Sequence, residues 1–96
     1  NTYHSRWLST MTVNSDELGV TSLEIIEHLA KSNIESRPIW KPMHMQPVYK
    51  DCDYIKVEDK DIAKEIFEFG LCLPSDTNMT DEGQDRVIET IKRCLA

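Results

Sequence analysis

The run Arg37-Pro38-Ile39-Trp40-Lys41-Pro42-Met43-His44-Met45-Gln46-Pro47 gathers two cations, an indole, an imidazole and three prolines within eleven residues. Arg37 offers a planar fork and Lys41 a point charge, and both suit phosphate oxygens. Trp40 can stack on a ring, and His44 can donate to a phosphate or a sugar hydroxyl. The prolines stiffen the segment and lower the entropy cost of presenting these side chains. Its two Met and one Trp follow neither a helical nor a strand period. The same composition also describes a packed surface loop whose Trp anchors a core or a domain interface. Residue types alone leave both readings open, since loops carry function disproportionately.

Other chemistry-bearing residues are explained more simply. Asp51, Asp53 and the cluster Glu58-Asp59-Asp61 read as helix-start charge and solvation. His28 sits between Glu24 and Lys31 on a solvated helix face, and His4 lies near an end of the chain. No His pair has metal-ligand spacing, so no metal site is expected. The cysteines, Cys52, Cys72 and Cys94, are odd in number and form no C-x-x-C pair. That argues against a disulfide framework or zinc ribbon and suits a reducing cytosol. There is no G-x-S-x-G, P-loop or G-x-G-x-x-G, and the chain has only three glycines. No catalytic, cofactor-binding or metal-binding residue is assigned within it.

The elements that must position the segment follow from periodicity and caps. Arg6 to Val13 reads as a strand, with Trp7, Met11 and Val13 in one phase and Thr10 and Thr12 in the other. Asn14 to Gly19 is a polar turn. Thr21 and Glu24 form a capping box that starts a helix, with Val20 and Ile25 placed as a hydrophobic staple. Leu23, Ile26, Leu29 and Ala30 line its expected inner face. Asn33 takes a left-handed stop, after which Ile34 folds back onto Leu29. Residues 34–39 should be extended, because Arg37 precedes a proline. One short helical turn can start near Pro42, and residues 50–56 read as loop.

A second helix is expected from Asp59 to Phe69, with Ile62, Ala63, Ile66 and Phe67 as its apolar stripe and Gly70 as its end. Leu71-Cys72-Leu73 is a short strand stopped by Pro74. Thr80 caps a last helix with Val87, Ile88, Ile91, Cys94 and Leu95 inward. Glu82/Arg86 and Glu89/Arg93 can pair across its outer face. This order implies an α+β fold: a small, mainly antiparallel sheet of about three strands, covered by helices.

The chain has 96 residues, enough for one domain with a modest core. Its net charge of −6 is spread without blocks, which makes nucleic acid a poor partner. A local basic cluster can still bind one phosphate. No apolar run is long enough to cross a membrane, so a cytoplasmic protein with no membrane partner is expected. The chain opens at Asn1 directly into strand-like residues, and we read it as a piece of a longer protein.

Residues 34–49, Ile-Glu-Ser-Arg-Pro-Ile-Trp-Lys-Pro-Met-His-Met-Gln-Pro-Val-Tyr, resemble the C-terminal signature of DegT/DnrJ/StrS-type nucleotide-sugar aminotransferases. Gly70-Leu71-Cys72-Leu73-Pro74-Ser75 resembles that family's late strand and turn, and the stretch from Thr80 through Ile91 its final helix. The resemblance implies that residues 1–96 are the C-terminal small domain of a fold-type-I aminotransferase, separated from the large domain. That large domain would hold pyridoxal 5'-phosphate and the lysine bonded to it, so the fragment alone is expected to be inactive. The implied reaction transfers an amino group, usually from glutamate, to a nucleotide-linked keto-sugar, with a UDP-linked 4-keto-6-deoxy sugar the nearest form. The implied partners are the nucleotide-sugar, the amino donor, the protein's own large domain and a second subunit in a homodimer. Arg37, Lys41 and His44 are the implied substrate-binding residues. A non-enzymatic interaction or regulatory domain sharing the fold is the alternative.

Overall fold

Two local signals fix the first part of the chain. Thr21 accepts a hydrogen bond from the Glu24 N–H while Glu24 accepts one from the Thr21 N–H, closing the capping box. Such a cap contributes about 1 kcal/mol. Asn33 takes the left-handed conformation with φ of 56°, and the Ile34 N–H turns back to the Leu29 carbonyl at 3.0 Å. The computed structural model describes residues 2–96. In chain order its elements are strand β1 (Ser9–Thr12), a single helical turn α1 (Ser15–Leu18) and helix α2 (Ser22–Lys31). Strand β2 (Arg37–Pro38) and two 3-10 turns (Met43–Met45 and Pro47–Tyr49) follow. Helix α3 (Ile62–Phe69), strand β3 (Gly70–Leu73) and helix α4 (Asp81–Leu95) complete the fold.

The sheet is antiparallel throughout, in the order β1-β3-β2. Met11 and Pro38 both stand opposite Leu71, so these positions share one face of the sheet. That face meets α2: Val13, Ile25, Leu29, Ile34 and Leu71 form the buried cluster, with Met11, Leu73, Val87 and Ile91 packed against it. The expected α+β architecture, an antiparallel three-stranded sheet with helices packed on it, is what the chain adopts.

Several details differ from the expectations. The first strand is shorter than residues 6–13, and Trp7 is 69% exposed rather than inward. The turn after it contains α1, closed by Gly19 in the left-handed region. On α2 the inner face is Ser22, Ile25 and Leu29, while Leu23 and Ala30 face outward. α3 starts at Ile62 because Glu58 and Asp59 both have positive φ, which is incompatible with a right-handed helix. Of the expected α3 stripe, Ile62, Ala63 and Ile66 are exposed and Phe67 is half-buried. On α4, Ile88 and Leu95 point outward and Thr90 is buried instead, its hydroxyl donating to the Arg86 carbonyl. The expected α4 ion pairs are replaced: Arg86 donates to the Ser32 carbonyl at the end of α2, and Glu89 pairs with Lys92 at 3.1 Å.

The chain is spread out for its length. Its radius of gyration is 15.8 Å, against about 12–13 Å for a compact domain of this size. Apolar side chains of the 43–62 stretch, such as Met43, Val48, Ile55 and Val57, lie outside the core and are exposed.

Candidate functional site

The proline-rich segment is positioned at both ends. At its start, Arg37 and Pro38 pair with Cys72 and Leu71 of β3. Proline has no N–H to donate, and here it sits on an edge strand where that loss is tolerated. Trp40 follows and stacks on Trp7, with ring centroids 5.5 Å apart and planes 27° apart. Pro42 then opens the first 3-10 turn by accepting from the Met45 N–H at 3.0 Å. Pro47 begins the second turn, whose Tyr49 N–H donates to Gln46. The expected helical turn near Pro42 is therefore present, in its tighter 3-10 form.

Of the three sequence-derived candidates, Arg37 lies at the surface. Its Nε and Nη2 donate to Glu35 Oε1 at 3.0 and 2.7 Å, and the two side chains are 76% and 75% exposed. Such a pair contributes about 0–1 kcal/mol, so an incoming phosphate can compete for the guanidinium. Lys41 is exposed, and its carbonyl accepts from Gln46 Nε2 at 3.4 Å. His44 is half-buried and differently held: its Nε2 lies 2.7 Å from Asp61 Oδ2. Its ring stacks nearly parallel on Tyr54, with centroids 3.7 Å apart and planes 6° apart.

The structure does not gather the three into one pocket. Arg37 and Trp40 line a groove of about 730 Å³ with Ser36, Leu73, Arg86 and Val87. Ser36 Oγ is buried there without a hydrogen-bond partner among the described residues. His44 lines a separate cavity of about 430 Å³ with Met43, Tyr49, Cys52, Asp53 and Tyr54. Lys41 lines neither.

Asp61 and Tyr54 are the residues that sequence reasoning missed. Asp61 caps α3, where Oδ1 accepts from the Lys64 N–H at 3.1 Å and from the Tyr54 hydroxyl at 3.2 Å. The helix-start reading of Asp61 is correct but incomplete, because nothing in a 17-residue separation signals the contact with His44. Burial works against charge on Asp61, yet the hydrogen bonds from Lys64, His44 and Tyr54 hold its carboxyl below the ordinary range. Burial first, then the bond and the charge of Asp61, push the Tyr54 phenol above its ordinary value and keep it a donor.

These shifts set a pH dependence. A carboxyl whose folded value lies below its ordinary 3.8 stabilises the fold above that pH and loses this contribution as the pH falls through the lower, folded value. Acidification below about pH 4 is expected to detach Tyr54 and His44 from the start of α3. Their ring proton resonances should move together in an NMR acid titration, and Asp61→Asn should remove the transition.

Among the described residues no group of three or more His, Cys, Asp or Glu could hold a metal ion, and no helix is long and apolar enough to cross a membrane. Every lysine is exposed.

Comparison with known proteins gives a consistent picture. EpsN of Bacillus subtilis, named as a pyridoxal phosphate-dependent aminotransferase, is 41% identical over 88 residues, covering 91% of this chain and 22% of its own. The GDP-perosamine synthase of Caulobacter vibrioides is 33% identical over 92 residues, covering 96% of this chain and 24% of its own. Among solved structures, Spr1654 of Streptococcus pneumoniae, named as a sugar aminotransferase, superposes with a TM-score of 0.70 at 31% identity in its PLP form. That match covers 92% of this chain and 22% of the other. Helicobacter pylori PseC shares the fold, with a TM-score of 0.72 at 16% identity over 92% of this chain and 23% of its own. The chain thus spans between a fifth and a quarter of the length of these relatives. The family model of the DegT/DnrJ/EryC1/StrS aminotransferases matches residues 1–92, and the chain belongs to that family.

Proposed function

We propose that residues 1–96 form the C-terminal small domain of a pyridoxal-phosphate-dependent aminotransferase. The full-length protein would move an amino group from glutamate to a nucleotide-linked keto-sugar, with a UDP-linked 4-keto-6-deoxy sugar as the first candidate. The observation that carries the reading is the family match along residues 1–92. In this reading Arg37 and Lys41 meet the phosphates of the nucleotide and His44 meets the sugar. Arg37 supports it through a weak, exposed pairing with Glu35 that a phosphate can replace.

The residues present do not fit the cofactor itself. A lysine bonded to pyridoxal phosphate needs an enclosed site, and every lysine here is exposed. The cofactor would be held by a large domain outside this chain, and the fragment alone would be inactive. The full-length protein would work in the cytoplasm as a homodimer with its active sites at the subunit boundary. A second reading, an interaction or regulatory domain with the same fold, draws support from Ile55 and Val57, which are 92% and 75% exposed.

The test is the absorbance of the full-length protein with added pyridoxal phosphate, before and after glutamate. A protein-bound cofactor band that shifts with glutamate is the expected result. Absence of any bound band would overturn the enzymatic reading and favour the interaction domain.

A further inference from the structure

The His44 imidazole has one polar ring atom left for a ligand. A carboxylate can only accept hydrogen bonds, so Nε2, at 2.7 Å from Asp61 Oδ2, carries the proton. One ring face is covered by Tyr54 at 3.7 Å. The Tyr54 hydroxyl donates to the same carboxylate at 3.2 Å, and the Lys64 N–H anchors that carboxylate to the start of α3 at 3.1 Å. Asp61 thereby ties together the imidazole, the phenol and the helix. A carboxylate behind a histidine fixes the tautomer and the ring orientation and strengthens the opposite nitrogen as an acceptor.

The surroundings select what Nδ1 can meet. The cavity lined by His44 is also lined by Asp53, and no Lys or Arg lines it. With the Asp61 carboxylate behind the ring, a phosphate would approach negative charge on two sides. A hydroxyl, which brings a proton to share, meets no such opposition.

We propose that Asp61 and Tyr54 are positioning residues that hold His44 with Nδ1 free to accept a hydrogen bond from a sugar hydroxyl of the nucleotide-sugar. This rests on His44 being a substrate contact, and it divides the work: cations Arg37 and Lys41 serve the phosphates, and His44 serves the sugar.

The experiment compares ligands with and without the sugar. Calorimetry on the full-length, cofactor-loaded protein would measure UDP and GDP against UDP-N-acetylglucosamine and GDP-mannose. Asp61→Ser keeps a hydroxyl able to cap α3 but is too short to reach His44. It is expected to weaken the nucleotide-sugar about tenfold, the low end of what losing the orienting partner of a metal-ligating histidine costs, and to leave the bare nucleotide unchanged. It should add nothing in a His44→Ala background, because the two residues act as a unit. Tyr54→Phe, which keeps the stack and loses one hydrogen bond, should weaken the sugar ligand less.

Equal losses for nucleotide and nucleotide-sugar, or additive losses in the double variant, would overturn the inference while the glutamate-shifted cofactor band stands. Wild-type protein that binds none of the four ligands would overturn it together with the substrate reading. A missing cofactor band identifies failure of the enzymatic reading by itself.

Discussion

Leu71→Ala is expected to destabilise the fold by about 2–5 kcal/mol, the range for a buried leucine truncated in a packed core. Leu71 is fully buried at the centre of β3, among Val13, Ile25, Leu29 and Ile34. It stands opposite Met11 of β1 and Pro38 of β2, so its side chain meets both neighbouring strands and α2. A small domain has about 5–15 kcal/mol of total stability, and the buried cluster here has five members. The loss should appear as a much lower urea midpoint. Ile88→Ala, at a position 41% exposed on α4, is the control and should cost far less. Equal midpoints for the two variants would mean that the core is not where β3 and α2 place it.

Gly70→Ala is expected to cost about 1–3 kcal/mol, the usual range for overpacking, and to displace the proline-rich segment as well. Gly70 is buried and joins α3 to β3 without an intervening loop, in an extended conformation (φ −102°, ψ 159°) that any residue can adopt. Space decides here: an added Cβ would run into the Ile66 carbonyl and the Ile39 side chain. Ile39 lies between Pro38 and Trp40, so relief of the clash moves the segment relative to α3. Chemical shifts of Trp40 and His44 should change in Gly70→Ala even where the protein stays folded. Gly19 gives the contrast. Nothing lies within 4 Å of its would-be Cβ, but its φ of +69° strains any other residue. Gly19→Ala should therefore lower stability and leave those two residues undisturbed.

Signals confined to a few neighbouring residues were the readable part of this sequence. The Thr21/Glu24 box, the left-handed Asn33 and the Thr80 cap each depend on residues within one helical turn, and each is found as expected. β3 was readable as a short apolar run stopped by Pro74, β1 by its alternation, and β2 as the extended residues before and at Pro38. Choosing the inner face was harder. Leu23 and Ile25 are both apolar near the start of α2, and the sheet, which lies far away in sequence, meets Ile25. Arg86 has an acidic neighbour on its own helix, yet it reaches the Ser32 carbonyl left open at the end of α2. The site divides in the same way. The residue types in the 37–47 run drew attention to Arg37, Lys41 and His44, but the two cavities that separate Arg37 from His44 are made by contacts with β3, α4 and α3.

The order of strands in the sheet also governs when the domain can fold during synthesis. β1 and β2 do not pair with each other, and each finds its partner only in β3. The register Ser9↔Leu73 joins positions separated by roughly sixty residues, a non-local closure that slows folding. A ribosome-bound chain that has exposed α2 and the proline-rich segment has a capped helix and two stiff turns, but no sheet. Val13, Ile25 and Leu29 stay uncovered until the residues around Leu71 emerge. Because only residues 74–80 separate β3 from α4, the sheet and α4 become available to α2 within one short stretch of chain.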